Sequence, residues 1–440
     1  MKANPSTARP FTPNNPDHLK PIILSEPQND PQAGGSFTFF PQSHQMKQGL
    51  KLLFKSLITI LRSKQPHLHL KEIVNAEYLS ILLCSSTSHQ QYNTMQPFKK
   101  YSYRPIYFSL LLLVTANMLQ AKPVIIDTDM GGDDWLAILY ILAEPSIQIK
   151  AITINGTGLG RSEPSSNNLF HILDIACADP IPVALGSDQP RSGNNTFPNW
   201  IRDQTDDFQG LTVRHSNRTV KDISAPQLIN QVIEKSDERV TILVLGPMTN
   251  LATALVNNPA LADRIDRVVA MAGAIETPGN LIDLPGFKTS NNTAEWNVYL
   301  DPKAMEIVMN SINNLILIPL DATKDVPANG DLVSRIRKSG HSEASNFVAN
   351  TIEGWRELDG RYSTYMWDPV AAMYLVRPEF IATKKGRLTI DSNPDSITAG
   401  NLTLTHNGTT LSYGVKADQR SFENSFVEAI SKNFCESGQH

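Results

Sequence analysis

Four carboxylates fall within eight residues at Asp127-Thr128-Asp129-Met130-Gly131-Gly132-Asp133-Asp134, directly behind the apolar run at 124–126. Acids this dense repel one another unless a proton or a cation intervenes. A hard divalent ion with oxygen ligands, Ca²⁺ or Mg²⁺, is the natural partner. Such an ion lowers the pKa of a water until a carboxylate can deprotonate it. Asp133 and Asp134 open a helical pattern, where the helix dipole favours negative charge. Capping accounts for one or two of the four acids. It leaves Asp127 and Asp129 unexplained at a strand end.

The elements that must position this cluster alternate in type. VIID (124–127) precedes DDWLAILYILAE, and IKAITIN (149–155) precedes SSNNLFHILDIACA. IPVALG is followed by a long loop, then APQLINQVIEKS, VTILVLG, PMTNLATALVNNP, RVVAMAG and LILIPLDAT. Short β-branched runs bracketed by amphipathic helices predict an α/β fold with an open, mainly parallel, doubly wound sheet. Ligands in such sheets sit at the carboxyl ends of the strands, where the acids fall. Helices are expected over 330–357 and 369–376, short polar strands near 387–415, and a final helix in SFENSFVEAISKNF. No linker or repeat interrupts 122–440, so one domain is expected there.

The chain has 440 residues and a formal net charge of −4. Residues 1–121 carry 12 Lys/Arg against 5 Asp/Glu, and the remainder 27 against 38. The acidic larger part lacks the basic stripe of a nucleic-acid binder. Three cysteines, Cys84, Cys177 and Cys435, allow at most one disulfide and lack zinc-finger spacing. Residues 1–94 read as a disordered or over-extended leader, with one basic amphipathic stretch, KQGLKLLFKSLITILRSK. From Met95, basic residues, an apolar run from Ile106 to Val114 and small residues ending at Ala121 follow the order of a secretory signal peptide. That run is short of the roughly 20 residues a membrane span needs. Translation is therefore expected to start at Met95. The mature protein would begin near Lys122, periplasmic or secreted, touching a membrane only through its export signal.

DTDMGGDD resembles the DTDxGxDD signature of the inosine-uridine-type nucleoside hydrolases. Further matches follow in that family's order: Asn155 in ITINGTG, LGPMTNLA (245–252), MAGA (271–274), AEWNVYLDP (294–302), WDPVAA (367–372) and KADQRSF (416–422). The resemblance spans 123–432 and implies calcium-dependent hydrolysis of a small ribonucleoside to ribose and free base, by enzymes that are commonly dimers or tetramers. It implies Ca²⁺ held by Asp129, Asp134, the main-chain carbonyl of Leu245 and Asp368, with Asp129 also the general base. Asp133, Asn155, Glu295 and Asn297 would hydrogen-bond the ribose, Met271 would pack nearby, and Asp127 would support the loop from behind.

The chain also departs from the pattern. Many relatives carry a His before the metal-binding Asp; here it is Trp367, a donor-only side chain that cannot act as an acid. Relatives with Trp at this place are thought to stack on a purine, which implies a purine preference. NLIDLPGFKTSNNTAEWN replaces the usual GNxTPxAEFN, leaving Asn291 and Asn292 as alternatives for the ribose-binding asparagine. His171 and His215 read as structural or solvated. Asp368-Pro369 would also suit a helix N-cap, and Glu295 and Asn297 would share one face of an extended segment. Gly156-Thr157-Gly158-Leu159-Gly160 misses the dinucleotide fingerprint by one residue. Two other readings are a Mg²⁺-dependent phosphohydrolase with Asp127 as nucleophile, and a non-catalytic nucleoside or sugar receptor. The Asp133-Asp134 pair and the AEWN and WDP segments argue against the first; the complete set of carboxylates argues against the second.

Overall fold

Alternation along the first strand generates the layers. In a computed structural model, which describes residues 121–358 and 364–435, β1 (Lys122–Thr128) is buried from Pro123 onward. Val124 and Ile126 join one apolar cluster and Ile125 a second. Successive side chains leave a strand on opposite faces, so both faces of β1 must be covered. Helices do this. The first cluster is closed by α1 (Gly132–Leu142) and α2 (Ser162–Ile175) among others, and α3 (Asn199–Asp206) follows in the chain. The second is closed by α4 (Ala225–Lys235), α5 (Thr249–Asn257) and, after the short α6 (Trp296–Leu300), by α7 (Pro302–Ser311).

β2 (Ile147–Ile154), β3 (Val183–Leu185), β4 (Val240–Val244), β5 (Ile265–Ala270) and β6 (Leu315–Leu317) run parallel to β1. After α8 (Leu320–Thr323), α9 (Gly330–Ser339), α10 (Glu343–Leu358) and α11 (Trp367–Val376), the chain adds β7 (Ile381–Ile390), β8 (Leu402–Leu404) and β9 (Thr409–Ala417), then α12 (Gln419–Ile430). The nine strands lie in the order β3-β2-β1-β4-β5-β6-β9-β7-β8, and only β7 runs opposite to the rest. The expected mainly parallel, doubly wound sheet is therefore present. Among the described residues no helix is long and apolar enough to cross a membrane. The expected leader, residues 1–94, and the expected signal peptide, residues 95–121, lie outside the described residues except for Ala121.

Two local expectations need correction. The helix expected over 330–357 is two, because the chain breaks at Gly340: its N–H closes on Ile336 O at 2.7 Å, and Ser342 Oγ restarts the next helix by accepting the Ser345 N–H at 3.1 Å. PLDAT, read as the end of a strand, turns into α8 after Pro319.

The permitted disulfide is Cys177–Cys435. Cys177 sits just past α2 with φ 47°, the left-handed position usually given to glycine. Its N–H bonds Asp174 O at 3.0 Å, and the Ala178 N–H bonds Leu173 O at 2.9 Å. The bridge spans 258 positions in sequence, so it removes much freedom from the unfolded chain. Cys177→Ser is expected to lower stability by about 2–5 kcal/mol. A chemical denaturation midpoint that does not move would contradict this.

Candidate active site

β1 is flanked by β2 and β4 with Asp127 opposite Thr153 and Val244, so three loops leave the same edge of the sheet together. Asn155 N bonds Thr128 O at 2.7 Å and Leu245 N bonds Asp127 O at 2.8 Å, carrying the ladder into those loops. In the first loop Met130 takes φ 59° although it is not glycine. The turn is held by the Met130 N–H on Thr128 Oγ1 at 3.0 Å and by the Trp135 indole N–H on Met130 O at 2.8 Å. It brings Asp129 back beside the first turn of α1. Gly131 is the N-cap there and offers no side chain, so Asp133 and Asp134 are not N-caps. Asp368 lies in the first turn of α11, whose N-cap is Met366. The capping alternative for Asp368 is thus not realised.

One carboxylate oxygen each from Asp133, Asp134 and Asp368 lies within 4.8 Å of the others. Asp134 and Asp368 are buried and Asp133 half-buried. Thr128 Oγ1 donates to Asp134 Oδ1, while Asp134 Oδ2 and Asp368 Oδ1, both buried, have no hydrogen-bond partner. Asp129 adjoins the trio, and its charge acts on all three of those acids. Its Oδ2 accepts the Leu159 N–H at 3.0 Å, and its carbonyl accepts the Gly160 N–H at 2.9 Å. A Cβ at Gly158 would lie 1.8 Å from Asp129 Oδ2, and one at Gly246 2.8 Å from Asp129 Cβ. The glycine run dismissed as a nucleotide loop therefore has a different job: it lets two backbones close on this carboxylate.

Burial sets the electrostatics. It pushes Asp133 up to about 7, reinforced by the Asp129 charge. Burial, and then the charges of neighbouring acids, hold Asp134 and Asp368 well above the usual carboxylate range. Asp129 is also raised by burial, against the pull of the Leu159 amide and the Arg202 charge. Unpartnered oxygens on clustered, buried acids fit a divalent cation, whose charge and oxygen preference satisfy both deficits. Behind them, Asp127 Oδ1 accepts from Thr153 Oγ1 at 2.6 Å and Asn250 Nδ2 at 2.8 Å, and burial pushes this acid up to about 7. Fully buried, with Oδ1 committed to two donors, Asp127 is not presented to a substrate as an attacking nucleophile must be, which argues against the phosphohydrolase reading.

Residues 124–429 match the family described as inosine-uridine preferring nucleoside hydrolase. The chain belongs to that family. It is 29% identical over 277 residues to uridine nucleosidase 1 of Arabidopsis thaliana, covering 62% of this chain and 79% of the relative. It is 29% identical over 268 residues to the pyrimidine-specific ribonucleoside hydrolase RihA of Escherichia coli, covering 60% and 82%. The fold matches that of the purine-preferring ribonucleoside hydrolase from Gardnerella vaginalis with a TM-score of 0.62 at 24% identity, covering 72% of this chain and all of that one. As a nucleoside hydrolase, the protein hydrolyses N-glycosidic bonds of ribonucleosides, which sets aside the receptor reading.

The remaining predicted residues of this nucleoside hydrolase fall around the trio. Asn155, fully buried, donates to Pro247 O and accepts the Thr157 N–H at 3.2 Å. Asn297 Nδ2 donates to Leu245 O at 3.1 Å and Met271 O at 3.0 Å, so it knits two expected site residues together. Glu295 and Asn297 do not share an extended face as expected. Glu295 is the N-cap of α6, and its carboxylate accepts N–H groups of Asn297 (2.9 Å), Gly273 (3.0 Å) and Val298 (3.3 Å). Burial nevertheless pushes it up to about 7. Trp367 is half-buried at the head of α11, beside the Tyr365 ring. His171 is structural: Nδ1 accepts the Arg214 N–H at 3.1 Å.

Neither expected asparagine stands out as a free ligand. Asn291 Oδ1 accepts from Thr293 and Ala294 amides and Thr293 Oγ1, while its Nδ2 donates to Ala399 O. Asn292 is exposed. A third asparagine was missed. Gly279 N bonds Asn292 O at 2.7 Å, Asn280 N bonds Ala294 O at 3.1 Å, and Asn280 Oδ1 accepts the Trp296 N–H at 3.0 Å. The Gly-Asn of the family pattern therefore survives as Gly279-Asn280, with 281–292 looped out between it and AEWN. The dipeptide itself was the available signal.

Without a cation, acids whose folded pKa exceeds the unfolded value near 3.8 bind more protons folded than unfolded, so stability falls as pH rises from about 4 through 7. In chelator, the thermal midpoint is expected to drop between pH 6 and pH 8. A saturating divalent cation should raise it at pH 8 and flatten the slope. Identical curves with and without cation would contradict a metal site here.

Proposed function

We propose that the protein is an exported, calcium-dependent nucleoside hydrolase that splits purine ribonucleosides by preference. The observation that carries the reading is the carboxylate trio, its two buried members with unpartnered oxygens, set beside Asp129 at the ends of parallel strands. Asp129, Asp134, Asp368 and the Leu245 carbonyl would hold Ca²⁺, with Asp133 near enough to share in the shell. Bound there, the ion supplies Lewis acidity towards water and a grip on the ribose diol.

Asp129 takes a proton from water at a carboxylate oxygen, steered by the amide of Leu159. The water oxygen bonds to C1′, the C1′–N bond breaks, and its electron pair leaves with the base. Asp133, Asn155, Asn280 and Asn297 orient the ribose hydroxyls, while Glu295 holds Asn297 and the Gly273 loop in place. Contacts that tighten as the sugar flattens lower the barrier. Trp367 offers no proton, but its broad indole suits stacking on a purine. The Cys177–Cys435 bridge supports export, since structural disulfides persist in oxidising compartments. Assembly as a dimer or tetramer is part of the same reading, testable by light scattering.

Reducing-sugar release across a nucleoside panel, with and without chelator, tests the core of this. Inosine and guanosine should be cleaved faster than uridine, chelator should abolish release, and calcium should restore it. Asp129→Ala should lower kcat by about 10²–10⁴, with KM moving far less. A fully active Asp129→Ala protein, or activity indifferent to chelator, would refute the mechanism. Sequencing the native N-terminus should place it near Lys122.

A further inference from the structure

The turn after α3 holds three consecutive left-handed residues, Phe208 (φ 53°), Gln209 (φ 54°) and Gly210 (φ 77°). Two of them carry side chains that disfavour this conformation, and such strain persists only where the surroundings impose it. Phe208 supplies the anchor. It is fully buried, with its ring 4.2 Å from Trp135, 5.3 Å from Phe347 and 5.6 Å from His171. With Phe208 turned inward, Gln209 is thrown the other way and stays half-buried over the N-terminus of α1.

There it meets Trp355. The Trp355 indole N–H donates to Gln209 Oε1 at 3.0 Å. An indole N–H can only donate, so the atom facing it must be the amide oxygen, which settles which way the amide points. The other end, Nε2, makes no hydrogen bond among the described residues. A Cβ at Gly132 would lie 3.0 Å from Nε2 and 2.8 Å from Trp355 Cζ2. Gly132 directly precedes Asp133, one of the clustered carboxylates. Two N–H donors thus lie against the residue that precedes Asp133 in the chain, on an amide whose orientation is locked from behind.

We propose that Gln209 is a base-specificity residue of this hydrolase, donating from Nε2 to an oxo group of the leaving base. The proposal rests on the reading that the ribose binds at the carboxylate cluster, which brings the base towards α1. A donor-only group rewards a carbonyl oxygen and penalises an exocyclic amino group at the same position. Oxo bases are therefore favoured over amino bases: inosine over adenosine, uridine over cytidine. The hydrogen bond also strengthens as negative charge builds on the departing base, so part of its effect falls on kcat.

The ratio of kcat/KM for inosine to that for adenosine reads this directly, and a partial folding defect cancels from it. Gln209→Ala should shrink the ratio about tenfold, mainly by slowing inosine. Gln209→Glu, which keeps an oxygen for Trp355 but presents an acceptor, should reverse the preference towards adenosine. Trp355→Phe, which removes the anchoring N–H, should shrink the ratio less than Gln209→Ala. Ratios within twofold of wild type in both Gln209 variants overturn the proposal alone. Wild-type protein that releases ribose from no nucleoside overturns it together with the function on which it rests.

Discussion

Mutual repulsion among buried acids is the constraint around which this protein is built. Asp129, Asp133, Asp134 and Asp368 come from two distant stretches of sequence, yet all are drawn to one edge of the sheet, three of them shielded from water and Asp133 half so. An arrangement of this kind is tolerable in a fold of ordinary marginal stability only if protons or a cation compensate it. Parallel strands suit the task. Each places its carboxyl end at the same edge, and the helix that follows turns a positive dipole end towards the charges.

The supporting parts follow from that need. Gly158 and Gly246 lack side chains where Asp129 must be approached from two sides, and Met130 accepts a disfavoured backbone so that the chain can fold back on itself. Asp127 and Glu295 are acids of another sort. Each is buried and hydrogen-bonded to the elements around it, Asp127 to β2 and α5 and Glu295 to α6 and the Gly273 loop, so they brace the walls around the trio.

Much of this could be read from the residues in order. The alternation of β-branched runs and amphipathic helices reported the sheet because burial of both faces demands it, and the density of DTDMGGDD reported a charge problem in need of a solution. What resisted reading depended on contacts between distant segments. Asn280 stands fifteen positions before Glu295, and only the pairing of Gly279 with Asn292 reveals that the intervening residues loop away. Glycines 156–160 looked like a failed phosphate loop because their partner, Asp129, lies some thirty residues earlier. The Asp368 carboxyl looked like a cap until α11 proved to begin one residue ahead of it. Local spacing could not separate these alternatives.

The covalent link between Cys177 and Cys435 encloses the sheet from β3 to β9, leaving β1, β2, the DTDMGGDD loop and the glycine run on its N-terminal side. A protease that clipped a surface loop within the enclosed stretch would leave a single covalent molecule, its two pieces still tethered and still packed on a common core. Damage to one such loop would then be survivable where it would otherwise let the two pieces part.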